Sequence, residues 1–162
     1  MTRNITIASR LREVLLSGHW IANTNYKDQL QNINWQQATL KMGNLNTIAA
    51  LTYHINYYLA GLLKAFEHGK IDISDKYSYD LPPITSEKDW NELITDFLDN
   101  AEKFANTVEQ MEDHTFDEPF IDEKYGTVLR NIEGVIEHSY YHLGQISLLR
   151  KMITGSKSLG TI

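Results

Sequence analysis

The segment from Glu87 to Met111 carries apolar residues at positions 90, 94, 97, 101, 104, 108 and 111. The steps alternate between three and four, the period of an α-helix with one buried face. Three further segments share this period. Ile5–Leu16 has Ala8, Leu11 and Leu15 on one face, with Gly18 as a stop. Leu45–Glu67 has Ile48, Leu51, Ile55, Tyr58 and Leu62, and Gly69 ends it. Thr127–Thr154 lies between Gly126 and Gly155, with Val128, Ile132, Val135, Ser139, His142, Ile146, Leu149 and Ile153 in one stripe. Ser86 and Asp89 resemble a capping box for the third helix. No strand pattern of comparable length competes, so the expected fold is all-α, a four-helix bundle.

The connections decide how four such helices pack. The stretch Asp72–Ile84 and its flanks make about seventeen residues, a reach of about 55 Å when extended. A twenty-residue helix is about 30 Å long. The segment can return along the whole bundle, so helices two and three can run parallel. Tyr77, Tyr79, Leu81 and a Pro-Pro pair suit a connection that packs rather than hangs free. The 162 residues are read as one domain, with 155–162 as a loose tail.

Composition narrows the function. A net charge of −6 without a Lys/Arg cluster argues against phosphate neutralisation, so no nucleic-acid partner is expected. No apolar run spans a membrane and no signal-peptide pattern opens the chain, so the expected location is the cytoplasm. There are no cysteines, hence no thiolate ligand and no cysteine nucleophile. A metal site would have to use nitrogen and oxygen.

Six histidines are present. Helical residues advance by about 100°, which puts His142 about 40° and His138 about 80° from the core line of the fourth helix. His54 lies about 80° from the core line of the second. Residues four apart share a face, so His138 and His142 can point to one place. Small residues accompany the border histidines: Ala50 and Gly61 around His54, and Gly134 before His138. Either space is wanted there or the helices pack closely. Three imidazoles buried together need partners, which one divalent ion would supply and which a hydrogen-bonded core network could also supply. Three His with an open position is a catalytic pattern rather than a closed structural one. Imidazole suits zinc, nickel, copper and iron; zinc or nickel is the expectation. Two metal motifs are excluded: HSYYH lacks the Glu of HExxH, and neither helix has the Glu-x-x-His of di-iron bundles.

Around this core, Gln145, Tyr58 and Tyr141 are candidate outer-shell or pocket residues. Glu133 and Glu137 read as solvated, with a ligand-orienting role as the alternative. His19, His68 and His114 read as surface residues. Asn23, Asn25, Tyr26 and Trp35 are candidates for one wall of the site mouth. No catalytic acid or base stands out.

The stretches LTYHINYY and HSYYHLGQI, with DKYSYDLPPI between them, resemble the DinB/YfiT-like superfamily of metal-dependent enzymes, and in particular a bacterial subgroup of it. The resemblance covers almost the entire chain. It implies a bundle with helices two and three parallel and one divalent metal held by His54, His138 and His142. Members are often homodimers. Some relatives transfer low-molecular-weight thiols such as bacillithiol or mycothiol, which would suit a chain without cysteine. The superfamily is named for DNA damage-inducible genes, which concerns regulation rather than DNA contact. Two functional classes stay open: a metal-dependent enzyme, such as a thiol S-transferase with a thiol cosubstrate and a small-molecule substrate, or a non-catalytic bundle that binds a metal or small ligand.

Overall fold

The computed structural model describes residues 2–155; of the expected loose tail, Gly155 is described and 156–162 lie outside the described residues. The fold is all-α. Six α-helices lie among the described residues: α1 (Arg3–Arg12), α2 (Tyr26–Leu30), α3 (Trp35–Ala38), α4 (Ile48–His68), α5 (Glu87–Glu109) and α6 (Val128–Gly155). No strand occurs among the described residues; Pro119 and Thr127 form one isolated bridge.

The long helices begin where the side chains dictate. The Thr47 hydroxyl accepts from the Ala50 N–H and starts α4 at Ile48, the first residue of the apolar stripe and three residues after the expected start at Leu45. Ser86 caps α5 by accepting from the Asp89 N–H. The Asp89 carboxylate reaches back one residue further than in a capping box, accepting from the Thr85 N–H and hydroxyl. Gly69 closes α4 in the left-handed conformation.

Two features depart from the sequence reading. The first helix is α-helical only to Arg12 and continues as a π-helical turn, Glu13–Ser17, which the Gly18 N–H closes on the Glu13 carbonyl. The first connection is also ordered. Asn25 caps α2, and Asn34 with Gln37 forms a capping box on α3.

Paired contacts set the helix directions. Asn56 meets Asn100 and Phe66 meets Phe104, so contacts advance together along α4 and α5. Asn4 reaches the Glu109 carbonyl while Arg12 reaches Glu102, so α1 and α5 run opposite ways. Arg10 meets Glu133 and Glu13 meets Tyr140, so α1 and α6 run together. The order is up, down, down, up. The core between these helices is aromatic-rich, with Tyr26, Trp90, Phe97, Phe104, Phe116 and Phe120 almost wholly removed from solvent.

Parallel α4 and α5 need a crossover, and the segment after Gly69 supplies it. It retraces α4: Ile73 lies over Gly61, Ser74 bonds Tyr57, Asp75 bonds Tyr58, and Ser78 bonds His54. Gly61 is therefore a close-packing glycine. A Cβ there would sit 2.6 Å from Cγ1 and 2.9 Å from Cδ1 of Ile73. Both atoms belong to one packed side chain, so Ile73 must shift to admit the methyl group. Gly61→Ala gains about 1 kcal/mol of helix propensity against an overpacking cost of about 2 kcal/mol. We expect a net loss of about 1 kcal/mol in urea-unfolding stability.

Candidate metal centre

His54 sits mid-α4, while His138 and His142 lie one turn apart on α6. His54 and His142 are buried, at 6% and 5% exposure, and His138 is partly so. The packing of α4 on α6 brings the three rings together. His54 Nε2 is 3.2 Å from His138 Nε2, and His142 Nε2 is 2.9 Å from the same atom. One nitrogen from each ring lies within 4.8 Å of the others. The three predicted histidines thus form one cluster.

The opposite edges of two rings are already engaged. His54 Nδ1 is 3.2 Å from the Ser78 carbonyl oxygen, and His142 Nδ1 is 2.6 Å from Gln145 Oε1. Carbonyl oxygens only accept, so each Nδ1 carries the proton. The Nε2 atoms of His54 and His142 then both present lone pairs toward His138 Nε2. His138 has one proton to give and can satisfy only one of them. A cation shared by three lone pairs resolves this conflict, and the carbonyl-anchored Nδ1–H is the usual support of a metal-binding imidazole. The donor set, three neutral imidazoles, suits a borderline divalent ion.

Electrostatics keep the rings neutral. Burial pushes all three below the ordinary histidine value of 6.5, and His138 falls to about 4, with further lowering by His142 and His54. At neutral pH no proton competes for the Nε2 lone pairs. In the unfolded chain each imidazole titrates near 6.5. Between about 6.5 and about 4 the unfolded chain therefore binds more protons than the folded one. Metal-free protein should lose stability as pH falls through this window and change little from these groups above it. Urea midpoints measured across the window check this, and His138→Gln should flatten the slope.

The remaining predicted residues divide. Gln145 contacts His142 directly. Tyr58 stands edge-on to His54 and His138, with ring centroids 5.1 and 5.3 Å away, and its hydroxyl donates to Asp75 Oδ1 at 2.7 Å. Burial and that bond raise the phenol to about 12. Tyr141 is 65% exposed and touches the cluster only through its edge against His142. Glu133 and Glu137 pair with Arg10 and Arg130 and touch no histidine. His19, His68 and His114 are surface residues.

The first connection does not wall the site. Tyr26 is fully buried and donates to the Ser139 carbonyl, Asn25 caps α2, Trp35 packs on the core, and Asn23 is exposed. Tyr26 braces α6 and Trp35 the bundle interior instead. The wall comes from the crossover: Ser78 supplies its carbonyl, Tyr79 stacks on His54 at 4.1 Å and 12°, and Asp75 anchors Tyr58. The reach of the crossover along α4 was the available signal for them, but not the register of each side chain.

A cleft of about 430 Å³ opens beside His138. Its lining includes Tyr58, Leu62, Ile73, Asp75, Phe120 and Gly134. A Cβ at Gly134 would meet nothing within 4 Å. The two glycines noted from the sequence thus have different roles, close packing at Gly61 and open space at Gly134.

No helix of the described residues is long and apolar enough to cross a membrane. No curated protein and no solved structure matches the chain. The family model of the DinB superfamily matches residues 28–146, a span holding all three histidines and the crossover that supports them. With its helical fold and its His54–His138–His142 cluster, the chain belongs to the DinB superfamily.

Proposed function

We propose that this protein is a metal-dependent enzyme in which His54, His138 and His142 hold one divalent ion, zinc or nickel, and that its reaction transfers a low-molecular-weight thiol to a small electrophilic substrate. The observation that carries the metal reading is the convergence of three Nε2 atoms, two of them on rings whose Nδ1–H is tied to a carbonyl oxygen. Support for the thiol comes from the resemblance to thiol-transferring relatives and from a chain with no cysteine of its own. When bound, the ion would hold a thiol as its thiolate near neutral pH.

The chain's own residues have separable roles in this reading. Gln145 and the Ser78 carbonyl hold two rings in one tautomer and one orientation. Tyr79 covers the outer face of His54. Tyr58, fixed by Asp75, borders the cleft beside His138 and stays a phenol rather than a phenolate across the physiological range.

Cobalt-loaded protein tests the reading. Bacillithiol or a simple aminothiol should produce a sulfur-to-metal charge-transfer band and conjugate to an electrophile. A panel of bacterial thiols that gives neither band nor turnover on metal-loaded protein would instead favour a non-catalytic metal- or ligand-binding bundle.

A further inference from the structure

The cleft beside His138 has an uneven chemistry. Leu62, Ile73, Phe120 and Val135 give it an apolar floor. Two phenol rings, Tyr58 and Tyr125, also face it. Apart from His138, Asp75 is the one ionisable carboxyl or amine side chain in its lining, and its carboxylate accepts from Tyr58. No lysine or arginine lines it. Gly134 stands one helical turn before His138, where a side chain would project into empty space. A glycine inside a long helix sacrifices helix propensity, and the open volume is what this one provides.

We propose that this cleft is the substrate pocket and that it selects an apolar or aromatic body carrying a cationic or neutral polar end, with Gly134 setting its size and Asp75 its charge preference. The inference rests on the three-histidine centre being the reactive site, since His138 forms the junction of the two. An ammonium group near Asp75 gains its charge and the Tyr58 ring, while the Tyr125 ring already carries the Lys124 ammonium, itself paired with Asp122. A carboxylate there meets a like charge and no cation in the lining to offset it, since Lys124 behind Tyr125 is paired with Asp122.

The test uses three probes of closely similar size: 3-phenylpropylammonium, 3-phenylpropanol and 3-phenylpropionate. The full chain is stripped of metal, so that the carboxylate has no ion to coordinate, and binding is followed by calorimetry and ligand-observed NMR. The ammonium should bind at least about tenfold tighter than the carboxylate, with the alcohol between them. Asp75→Asn should shrink that ratio to about twofold or less. Gly134→Leu should weaken all three probes by about tenfold or more. In separate zinc titrations both variants should keep the wild-type stoichiometry, which shows that they fold and that the centre is intact. Equal affinity for ammonium and carboxylate, or unchanged binding in folded Gly134→Leu, overturns the pocket. If wild-type protein binds no zinc yet discriminates the probes through Asp75, the metal reading fails and the pocket stands.

Discussion

Replacing His142 with Ala should abolish stoichiometric zinc binding at micromolar protein and lower affinity by more than about 100-fold. The comparison that sets this scale is the outer shell. Loss of an orienting partner at a metal site costs about 10–100-fold, so Gln145→Leu, which leaves the His142 Nδ1–H without its acceptor at 2.6 Å, should fall in that range. Loss of the ligand itself must cost more. It removes one of three imidazoles and leaves His54 and His138 as a two-ligand site. His54→Ala and His138→Ala should behave alike, because the three Nε2 atoms serve one position. Circular dichroism of each variant should retain the helical spectrum. Calorimetric titration reads the affinity, and elemental analysis of protein purified without a nickel column reads the stoichiometry. One tightly held ion in His142→Ala would break the three-ligand site.

The histidine cluster was legible in the sequence because helical geometry is regular. Positions 138 and 142 share a face by period alone, and position 54 occupies the corresponding border of another helix. The same regularity made α4, α5 and α6 readable to within a few residues. The π-helical turn after Arg12 was not, since the stripe through Leu11 and Leu15 reads as a continuous helix and one wider turn leaves no mark on it. The short helices of the first connection did leave one, the Asn34–Gln37 capping box, but four and five residues are too few to show an apolar period. Tyr26 and Trp35 therefore read as site residues although they are bracing residues. The crossover illustrates a different limit. Its length predicted that it would return along the bundle. Which carbonyl would meet His54, and which carboxylate Tyr58, depends on an irregular backbone whose register no periodicity encodes.

Trp90→Ala should be the most damaging single change to stability, at about 3–5 kcal/mol. The indole is fully buried in the first turn of α5, and its Nε1–H donates to the Ile33 carbonyl at 2.8 Å. Truncation opens a large cavity and strands that carbonyl. A domain of this kind holds about 5–15 kcal/mol in total, so the variant should unfold at a much lower urea midpoint or lose its cooperative transition. Trp90→Phe separates the two effects: it fills most of the volume and loses the bond, at about 1–3 kcal/mol. Trp90 touches none of the histidines, and its hydrogen bond ties α5 to Ile33, which makes no contact with the centre. Folded Trp90→Phe should accordingly bind zinc with wild-type affinity. The reciprocal experiment follows from the same separation. Chelating the ion removes only the linkage stabilisation of a native-state ligand, and the core of Tyr26, Trp90, Phe97 and Phe104 remains in place. Metal-free protein should therefore keep its helices and a cooperative transition. Collapse on chelation, as in a zinc finger, would mean that the ion holds α4 to α6 and that the site is structural rather than open for chemistry.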